Sequence, residues 1–345
     1  MKAFITLPKN SNFANFFTDQ NIFLADSLGE MLWNDRSVQL TPAEIADRIG
    51  DSQAYVTGWG SPPLDKTILD AAPDLRLLVH LCGSVSPYVT DAMWERGVRV
   101  ICGNDFFAES VAEGTIGYIL SALRDIPKYS TELKQNGTWK SSRAYTRSLI
   151  GKRVGIVSYG AIARHLVRML QPFRVKIKVY DIAPLPQEDV EKYGLEAASL
   201  ESVFSESDIV TVHTPLYEKT YHMIGSPLLS LIRDGALLVN TSRGAIFDQA
   251  ALERELALGR FGAVLDVYEK EPLPIDSPLR DCENALLMPH MAGPTTDLLQ
   301  VITRELLIES AAYLDRGEPL RHEVSRERAA IMTVDPKTLI KNKEK

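Results

Sequence analysis

Short apolar runs alternate with longer amphipathic stretches along almost the whole chain, and no other feature of the sequence limits the fold as strongly. This alternation is typical of βα units built on parallel sheets. It predicts an α/β fold with two doubly wound parallel sheets. The predicted strands of the first sheet are Ala3–Thr6, Ala54–Thr57, Leu77–Leu81 and Val98–Cys102, and those of the second are Arg153–Val157, Lys176–Tyr180, Ile209–His213, Ala236–Asn240, Ala263–Val267 and Leu286–Met288.

The length of 345 residues exceeds what one hydrophobic core usually holds, so two domains are expected. A predicted helix over Glu109–Leu123 carries the chain from the first series of strands to the second, and a helix over Thr295–Leu314 returns it to the first domain. After about Arg326 the lysine-rich sequence has little apolar pattern, so a solvated, mobile end is expected. The predicted boundaries are 1–104 and 294–330 for the first domain, 105–293 for the second, and 331–345 for a flexible tail.

Composition and charge argue against several classes of protein. The net charge is −7, and the 38 Lys and Arg residues are scattered, which disfavours a nucleic-acid partner. No run approaches the roughly 18 consecutive apolar residues of a membrane-spanning helix, and the N-terminal segment lacks the apolar region of a signal peptide. The three cysteines are too widely spaced for a disulfide framework or a CxxC zinc site. We therefore expect a cytoplasmic protein that binds no metal, no nucleic acid and no membrane.

The segment KRVGIVSYGAIARHLVRML has the order strand, tight turn and amphipathic helix, which is where a phosphate-binding turn is found. Its match to the GxGxxG pattern is partial, with Ser158 at the first glycine position, Gly160 at the second and Ala163 at the third. Gly160 matters most, because a Cβ there would keep a pyrophosphate away from the N–H groups at the helix start. By itself, so incomplete a motif leaves a plain βα turn as the alternative.

The next predicted strand ends at Asp181, 21 residues after Gly160, the spacing at which a carboxylate reaches the ribose hydroxyls of adenosine. This favours a dinucleotide site over the alternative of a solvated loop acid. It also favours NAD over NADP, because the additional phosphate carries nearly two negative charges. Like charges about 4 Å apart repel by roughly 4 kcal/mol at an effective dielectric near 20, enough for about a thousandfold discrimination.

Three further segments carry a family resemblance: VHTPLYEKT, LLVNTSRGAIFDQAALERELALGRFGAVLDVYEKEPLP and LLMPHMAG. Together they resemble the signature stretch of the D-isomer-specific 2-hydroxyacid dehydrogenases, the family of phosphoglycerate dehydrogenase, glyoxylate reductase, D-lactate dehydrogenase and formate dehydrogenase. The resemblance extends from about Asp74 to Gly293. It implies a Rossmann NAD-binding domain and a flavodoxin-like substrate domain. It also implies hydride transfer between NAD(H) and a small 2-keto or 2-hydroxy acid, and a homodimer.

The resemblance implies three catalytic residues, Arg243, Glu271 and His290. Arg243 would hold the substrate carboxylate and polarise the keto oxygen through paired donors, where the alternative is a surface arginine. His290 would give and take the proton of that oxygen, where the alternative is a core or loop histidine. Glu271 would hydrogen-bond the other ring nitrogen and favour the imidazolium. Glu269 is the competing assignment, and Glu271 is preferred because it immediately precedes Pro272, as the family's acid does.

The resemblance also implies positions that bind cofactor and substrate. The cofactor-binding positions are Gly160, Ala161, Ile162, Asp181, Thr214, Thr241, Asp266 and Gly293. Asp266 would accept from the nicotinamide carboxamide, or else serve only as a structural acid at a strand end. The N–H groups of Gly83, Ser84 and Val85, in CGSVSPY, would bind the substrate carboxylate. In the family this loop reads close to AGVGVDN, and Pro87 replaces its Asp, so the substrate side chain is left open.

Other functions on the same fold are left open by the sequence. Formate dehydrogenase chemistry is expected with a Gln–His pairing, so Glu271 argues against it. A corepressor-like protein would keep the catalytic set and use NAD as a conformational sensor. A degenerate pseudoenzyme would be disabled at Ser158 and Pro87.

Overall fold

The computed structural model of the chain describes residues 1–137, 139 and 146–334. These residues divide into two compact units. The first unit contains Met1–Phe107 and the described residues from Pro294 onward, and the second contains Ala108–Gly293.

In the described part of the chain, twelve strands form two sheets, and every strand pairing is parallel. The strands are β1 (Lys2–Ile5), β2 (Glu30–Trp33), β3 (Ala54–Thr57), β4 (Leu77–His80), β5 (Arg99–Cys102), β6 (Arg153–Val157), β7 (Lys176–Tyr180), β8 (Leu195–Ala197), β9 (Ile209–Val212), β10 (Leu237–Asn240), β11 (Gly262–Leu265) and β12 (Ala285–Leu287).

Helices connect and cover the strands. They are α1 (Phe13–Phe16), α2 (Asp19–Leu28), α3 (Pro42–Ile49), α4 (Lys66–Ala71), α5 (Asp91–Glu95), α6 (Asn104–Leu123), α7 (Ile126–Asn136), α8 (Ala161–Leu170), α9 (Gln187–Tyr193), α10 (Leu200–Glu206), α11 (Ser226–Leu229), α12 (Gln249–Ala257), α13 (Thr296–Arg316) and α14 (Arg326–Ala330).

The strand orders confirm the predicted fold class. The sheet of the first unit has the order β2-β1-β3-β4-β5, which is the flavodoxin-like order. The sheet of the second unit has the order β12-β11-β10-β9-β6-β7-β8. Numbered from β6, six of its strands follow the dinucleotide-binding order 3-2-1-4-5-6, and β12 adds a seventh at the edge.

The central strands are apolar on both faces, as parallel strands covered by helices must be. Every residue of β3 and β4 is buried. Because successive side chains of a strand point to opposite faces, Tyr55 and Leu78 belong to one core cluster of the first unit, and Val56 and Val79 belong to the other. Continuous apolar runs of this kind made the central strands readable from the sequence.

Two strands were not predicted, and both lie at sheet edges. β2 has no fully buried residue, and β8 has three residues of which only Leu195 is buried. An edge strand that is short or half-exposed lacks the apolar run by which its neighbours are recognised. The prediction of four and six strands is therefore wrong by one strand in each sheet.

The chain end is ordered further than the sequence predicted. The side chain of Ser325 accepts from the N–H of Arg328 and caps α14. Ala329 and Met332, three residues apart, are buried in the first unit's core, in the same cluster as Val85. The expectation of a solvated end from about Arg326 is therefore wrong for the described residues up to 334, and the remainder of the predicted tail, 335–345, lies outside the described residues.

Small residues in α6 allow a close approach of backbone within the second unit. A Cβ on Gly114 would lie 2.8 Å from the carbonyl oxygen of Ala292, in the loop after β12. A Cβ on Gly117, one turn further along the same helix, would meet no atom within 4 Å. Gly114 is thus required by packing, whereas Gly117 is not.

We expect opposite effects of alanine at these two glycines. Gly117→Ala should raise the free energy of unfolding by about 0.5–1 kcal/mol, because alanine favours a helix over glycine. Gly114→Ala should lower it by about 1–3 kcal/mol, because the new Cβ overlaps a backbone carbonyl. Denaturant unfolding of the two variants and the parent protein measures both changes, and two stabilising substitutions would contradict the close approach.

Candidate active site

The turn between β6 and α8 keeps its shape although its first glycine is replaced. Ser158 has a φ of 75°, in the left-handed region that glycine favours. Its N–H donates to the carbonyl of Tyr180 at 2.7 Å, and its Oγ lies 2.9 Å from Oγ1 of Thr214. A non-glycine residue held in this region costs of order 1–3 kcal/mol, so the surrounding structure must impose the conformation. The serine therefore occupies a strained conformation that glycine would adopt without cost.

Gly160 stands at the N-cap of α8 and leaves the space in front of the helix open. No atom lies within 4 Å of the position that its Cβ would take, and no side chain caps the helix. The N–H groups of Ala161 and Ile162, in the first turn, have no carbonyl partner within the helix. Free N–H groups and the positive end of the helix dipole suit an anion. This arrangement fits a pyrophosphate.

Asp181 lies next to this turn, at the end of β7. Its Oδ2 accepts from the N–H of Tyr159 at 2.6 Å, and its Oδ1 accepts from the N–H of Ala183 at 2.8 Å. The carboxylate is therefore held in place by two backbone donors and is partly exposed. Each oxygen keeps a further lone pair, so the group can still accept from a ribose hydroxyl. The chemistry of this edge of the second sheet fits the adenosine half of a dinucleotide.

Asp266 follows β11 and is 1% exposed. Its Oδ1 accepts from the N–H of Met291 at 2.7 Å, and its Oδ2 accepts from the N–H of Ala292 at 2.9 Å. The hydroxyl of Tyr118 also donates to Oδ1, at 3.3 Å. Its own carbonyl accepts from the N–H of His290 at 2.8 Å. Asp266 thus holds the loop that carries His290, a role that sequence reasoning gave only as the alternative to cofactor binding.

His290 and Glu271 form a hydrogen-bonded pair. Nδ1 of His290 lies 2.7 Å from Oε2 of Glu271, and Oε1 of Glu271 accepts from the N–H of Tyr268 at 3.0 Å. Burial raises the pKa of Glu271, but the hydrogen bonds from His290 and Tyr268 and the nearby charge of Arg243 outweigh it, so the pKa is lowered overall. The side chain of His290 is 45% exposed, so a ligand can reach the ring.

Arg243 is set in a tightly packed turn after β10. Its Nη1 donates to the carbonyl of Ser242 at 2.6 Å. A Cβ on the next residue, Gly244, would lie 1.9 Å from the carbonyl carbon of Tyr268, so two backbone segments of the second unit pack directly on each other. Burial lowers the pKa of Arg243, and the carboxylate of Glu271 acts in the opposite direction. The three predicted catalytic residues therefore belong to three adjoining loops of the same unit.

Glu269, the competing assignment, has a different partner. Its Oε1 lies 2.8 Å from Nε2 of His222, and the hydroxyl of Tyr221 donates to the same oxygen at 3.3 Å. Its N–H donates to Oε1 of Gln249 at 3.1 Å. Glu269 thus belongs to a second His–Glu pair that sequence reasoning missed, because nothing in the spacing of His222 from Glu269 signals their contact.

Two of the other predicted cofactor positions have polar surroundings of their own. Oγ1 of Thr241 lies 3.0 Å from Oγ1 of Thr115, and both are buried. Thr214 is paired with Ser158, as described. A Cβ on Gly293 would meet no atom within 4 Å. The surroundings of these three residues are compatible with cofactor binding.

The predicted carboxylate-binding loop belongs to the first unit. Among the described residues, none accepts a hydrogen bond from the N–H groups of Gly83, Ser84 or Val85. The hydroxyl of Ser84 donates to the carbonyl of Thr333 at 2.7 Å, so this side chain is engaged by the segment after α14. Pro87 lies in a turn closed by the bond from the Tyr88 N–H to the Val85 carbonyl at 2.8 Å, and this bond does not need an N–H at position 87. Three successive N–H groups without a partner among the described residues suit a carboxylate.

The described residues contain neither a metal-binding cluster nor a membrane-spanning helix. No group of three or more His, Cys, Asp and Glu side chains is placed to hold a metal ion. No described helix is both long enough and apolar enough to cross a membrane.

Comparison with known proteins identifies the family of the chain. The family model described as "D-isomer specific 2-hydroxyacid dehydrogenase, NAD binding domain" matches residues 116–292. The glyoxylate reductase of Korarchaeum cryptofilum is 33% identical over 292 residues, which cover 83% of this chain and 86% of that protein. The D-3-phosphoglycerate dehydrogenase of Methanocaldococcus jannaschii is 31% identical over 299 residues, which cover 86% of this chain but only 56% of that longer protein.

A solved structure extends the comparison to the fold. The phosphoglycerate oxidoreductase from Rhizobium etli superimposes with a TM-score of 0.78 at 27% identity, covering 94% of this chain and 99% of that one. The resemblance that the sequence segments carry is therefore confirmed.

Proposed function

The chain belongs to the D-isomer specific 2-hydroxyacid dehydrogenase family, so its cofactor is a nicotinamide dinucleotide, and we propose that it transfers a hydride between NAD(H) and a small 2-keto or 2-hydroxy acid of the D series. The observation that carries this proposal is the 2.7 Å contact between Nδ1 of His290 and Glu271. It leaves Nε2 as the ring nitrogen that can exchange a proton with a substrate oxygen.

Three side chains of the second unit would carry out the reaction. Arg243 binds the carboxylate of the keto acid and polarises its carbonyl oxygen. The nicotinamide ring, when bound, supplies a hydride to the carbonyl carbon or accepts one from it. His290 gives the proton that the carbonyl oxygen gains, and takes it back in the reverse direction. Glu271 stays ionised because its pKa is lowered, and it stabilises the imidazolium before the proton leaves.

The remaining parts of the proposal are supported by family membership and local chemistry. The N–H groups of Gly83, Ser84 and Val85 would bind a carboxylate of the substrate. Asp181 would bind the adenosine ribose and select NAD over NADP. A homodimer and a cytoplasmic location are expected from the family.

The first test replaces His290 by Asn. Asparagine tolerates the left-handed backbone at this position, where φ is 57°, but it cannot serve as an acid or base. We expect kcat for 2-keto acid reduction to fall by about 10²–10⁴-fold with little change in NADH affinity. We measure kcat from the loss of NADH absorbance with glyoxylate, hydroxypyruvate, pyruvate, phenylpyruvate or 2-ketoisocaproate as the substrate.

The chain offers a matched control at the second His–Glu pair. His222 also has a left-handed backbone, with a φ of 54°, and also contacts a glutamate. His222→Asn should leave kcat within about threefold of the parent, since it makes the same chemical change away from the reacting atoms. NADH binding by the parent protein without turnover of any 2-keto acid would overturn the proposal and support a sensor or a pseudoenzyme.

The pH profile tests Glu271. Its lowered pKa keeps the carboxylate charged at neutral pH. Glu271→Gln keeps an acceptor but removes the charge, and the imidazolium is then less favoured. We expect the alkaline limb of the kcat/KM profile for reduction to move to lower pH by about one unit. An unchanged limb in the variant would show that Glu271 does not act on the proton donor.

Cofactor choice tests Asp181. The parent protein should bind NADH about a thousandfold more tightly than NADPH, because the carboxylate repels the additional phosphate. Asp181→Asn keeps an acceptor for one of the two N–H groups and removes the charge. The ratio of the dissociation constants for NADPH and NADH should therefore fall by at least about tenfold. Fluorescence titration with each cofactor measures both ratios. A parent protein that binds the two equally would contradict the assignment.

A further inference from the structure

Trp59 is an exposed side chain in a loop whose neighbouring residues are hydrogen-bonded. It follows β3 at the carboxyl end of the first unit's sheet and is 56% exposed. The N–H of Gly58 donates to Oγ of Ser61 at 3.0 Å, and the same Oγ lies 2.7 Å from Oγ1 of Thr6. Gly60 takes a φ of 78°, which turns the chain back directly after the tryptophan. The indole is therefore presented by a fixed loop.

The aromatic neighbours of Trp59 connect it to the predicted carboxylate-binding loop. Its ring makes edge contacts with Phe16, at 5.5 Å between centroids, and with Phe107, at 6.0 Å. Phe107 in turn packs against Gly83, where a Cβ would lie 3.5 Å from the phenyl ring. One aromatic ring thus lies between the exposed indole and the loop whose N–H groups, at Gly83, Ser84 and Val85, have no acceptor in the part of the chain that the structure describes.

Single exposed apolar side chains are common and need no explanation. Trp59 differs because a second observation lies beside it, namely three successive backbone donors without a partner among the described residues. Both are at the carboxyl ends of parallel strands, where ligands bind in open α/β sheets. A ligand held there by its carboxylate would extend its other end over the aromatic rings.

We infer that Trp59 binds the side chain of the substrate, and that the preferred substrates are 2-keto acids with an aromatic side chain, phenylpyruvate among them. The inference rests on the proposed function and names its substrate class. The carboxylate is held by the Gly83–Val85 loop, and the phenyl ring packs against the indole in an offset or edge arrangement. Glyoxylate has only a hydrogen in place of this side chain and gains nothing from Trp59.

The test compares substrates across three variants. In the parent protein kcat/KM for phenylpyruvate should exceed that for glyoxylate, with 2-ketoisocaproate between them. Trp59→Ala should lower kcat/KM for phenylpyruvate by about tenfold and leave glyoxylate within about twofold, since one aromatic contact is lost. Trp59→Phe keeps an aromatic ring and should retain most of the parent's preference in kcat/KM for phenylpyruvate over glyoxylate. The control is Phe23→Ala, which removes another exposed ring, since Phe23 on α2 is 76% exposed. It should leave kcat/KM for both phenylpyruvate and glyoxylate unchanged.

A binding measurement makes the inference independent of turnover. Titration of the cofactor-free protein with D-3-phenyllactate should quench part of the tryptophan fluorescence in the parent and not in Trp59→Phe, and glycolate should quench neither. If the parent reduces no keto acid, the proposed function fails while the quenching still decides the role of Trp59. Turnover that favours glyoxylate, or a loss of phenylpyruvate and glyoxylate activity to the same extent in Trp59→Ala, would overturn the inference.

Discussion

The second unit depends on one buried carboxyl group. Asp266 is almost inaccessible to solvent, and a carboxylate in such a place must be hydrogen-bonded or it destabilises the fold. The donors that satisfy it are the N–H groups of Met291 and Ala292, so the loop after β12 is drawn onto the end of β11. His290 precedes these two residues directly, and its position follows from theirs. Because the buried acid needs hydrogen-bond donors, and these donors follow His290 directly, the acid fixes the position of the proposed proton donor.

The architecture was predictable because parallel strands that are covered on both faces are written as continuous apolar runs. β3, β4, β9 and β10 are fully buried, and each was recognised. The sequence did not reveal β2 and β8, because an edge strand needs neither two apolar faces nor much length. The packing of Met332 was also not predictable, because a few apolar residues near a charged chain end have no period to identify them.

The candidate site was predictable where a residue type is tied to a chemical task and to a neighbour in sequence. The choice of Glu271 over Glu269 rested on the adjacent Pro272, and the contacts of the two acids with different histidines agree with it. The spacing could not show what a substituted position does. Ser158 looked like a defect in the phosphate turn, yet it adopts the left-handed conformation of the missing glycine and gains a hydroxyl contact.

The backbone of His290 limits which residues this loop can accept without strain. A histidine in the left-handed region is less stable there than glycine or asparagine would be. The N–H of His290 donates to the carbonyl of Asp266, and its ring contacts Glu271, so both ends of the residue are held while the backbone is in this region. Asparagine would fit the same backbone with less strain but has no group that can act as an acid or base. The residue that would suit this loop best is therefore one that would remove the proposed chemistry.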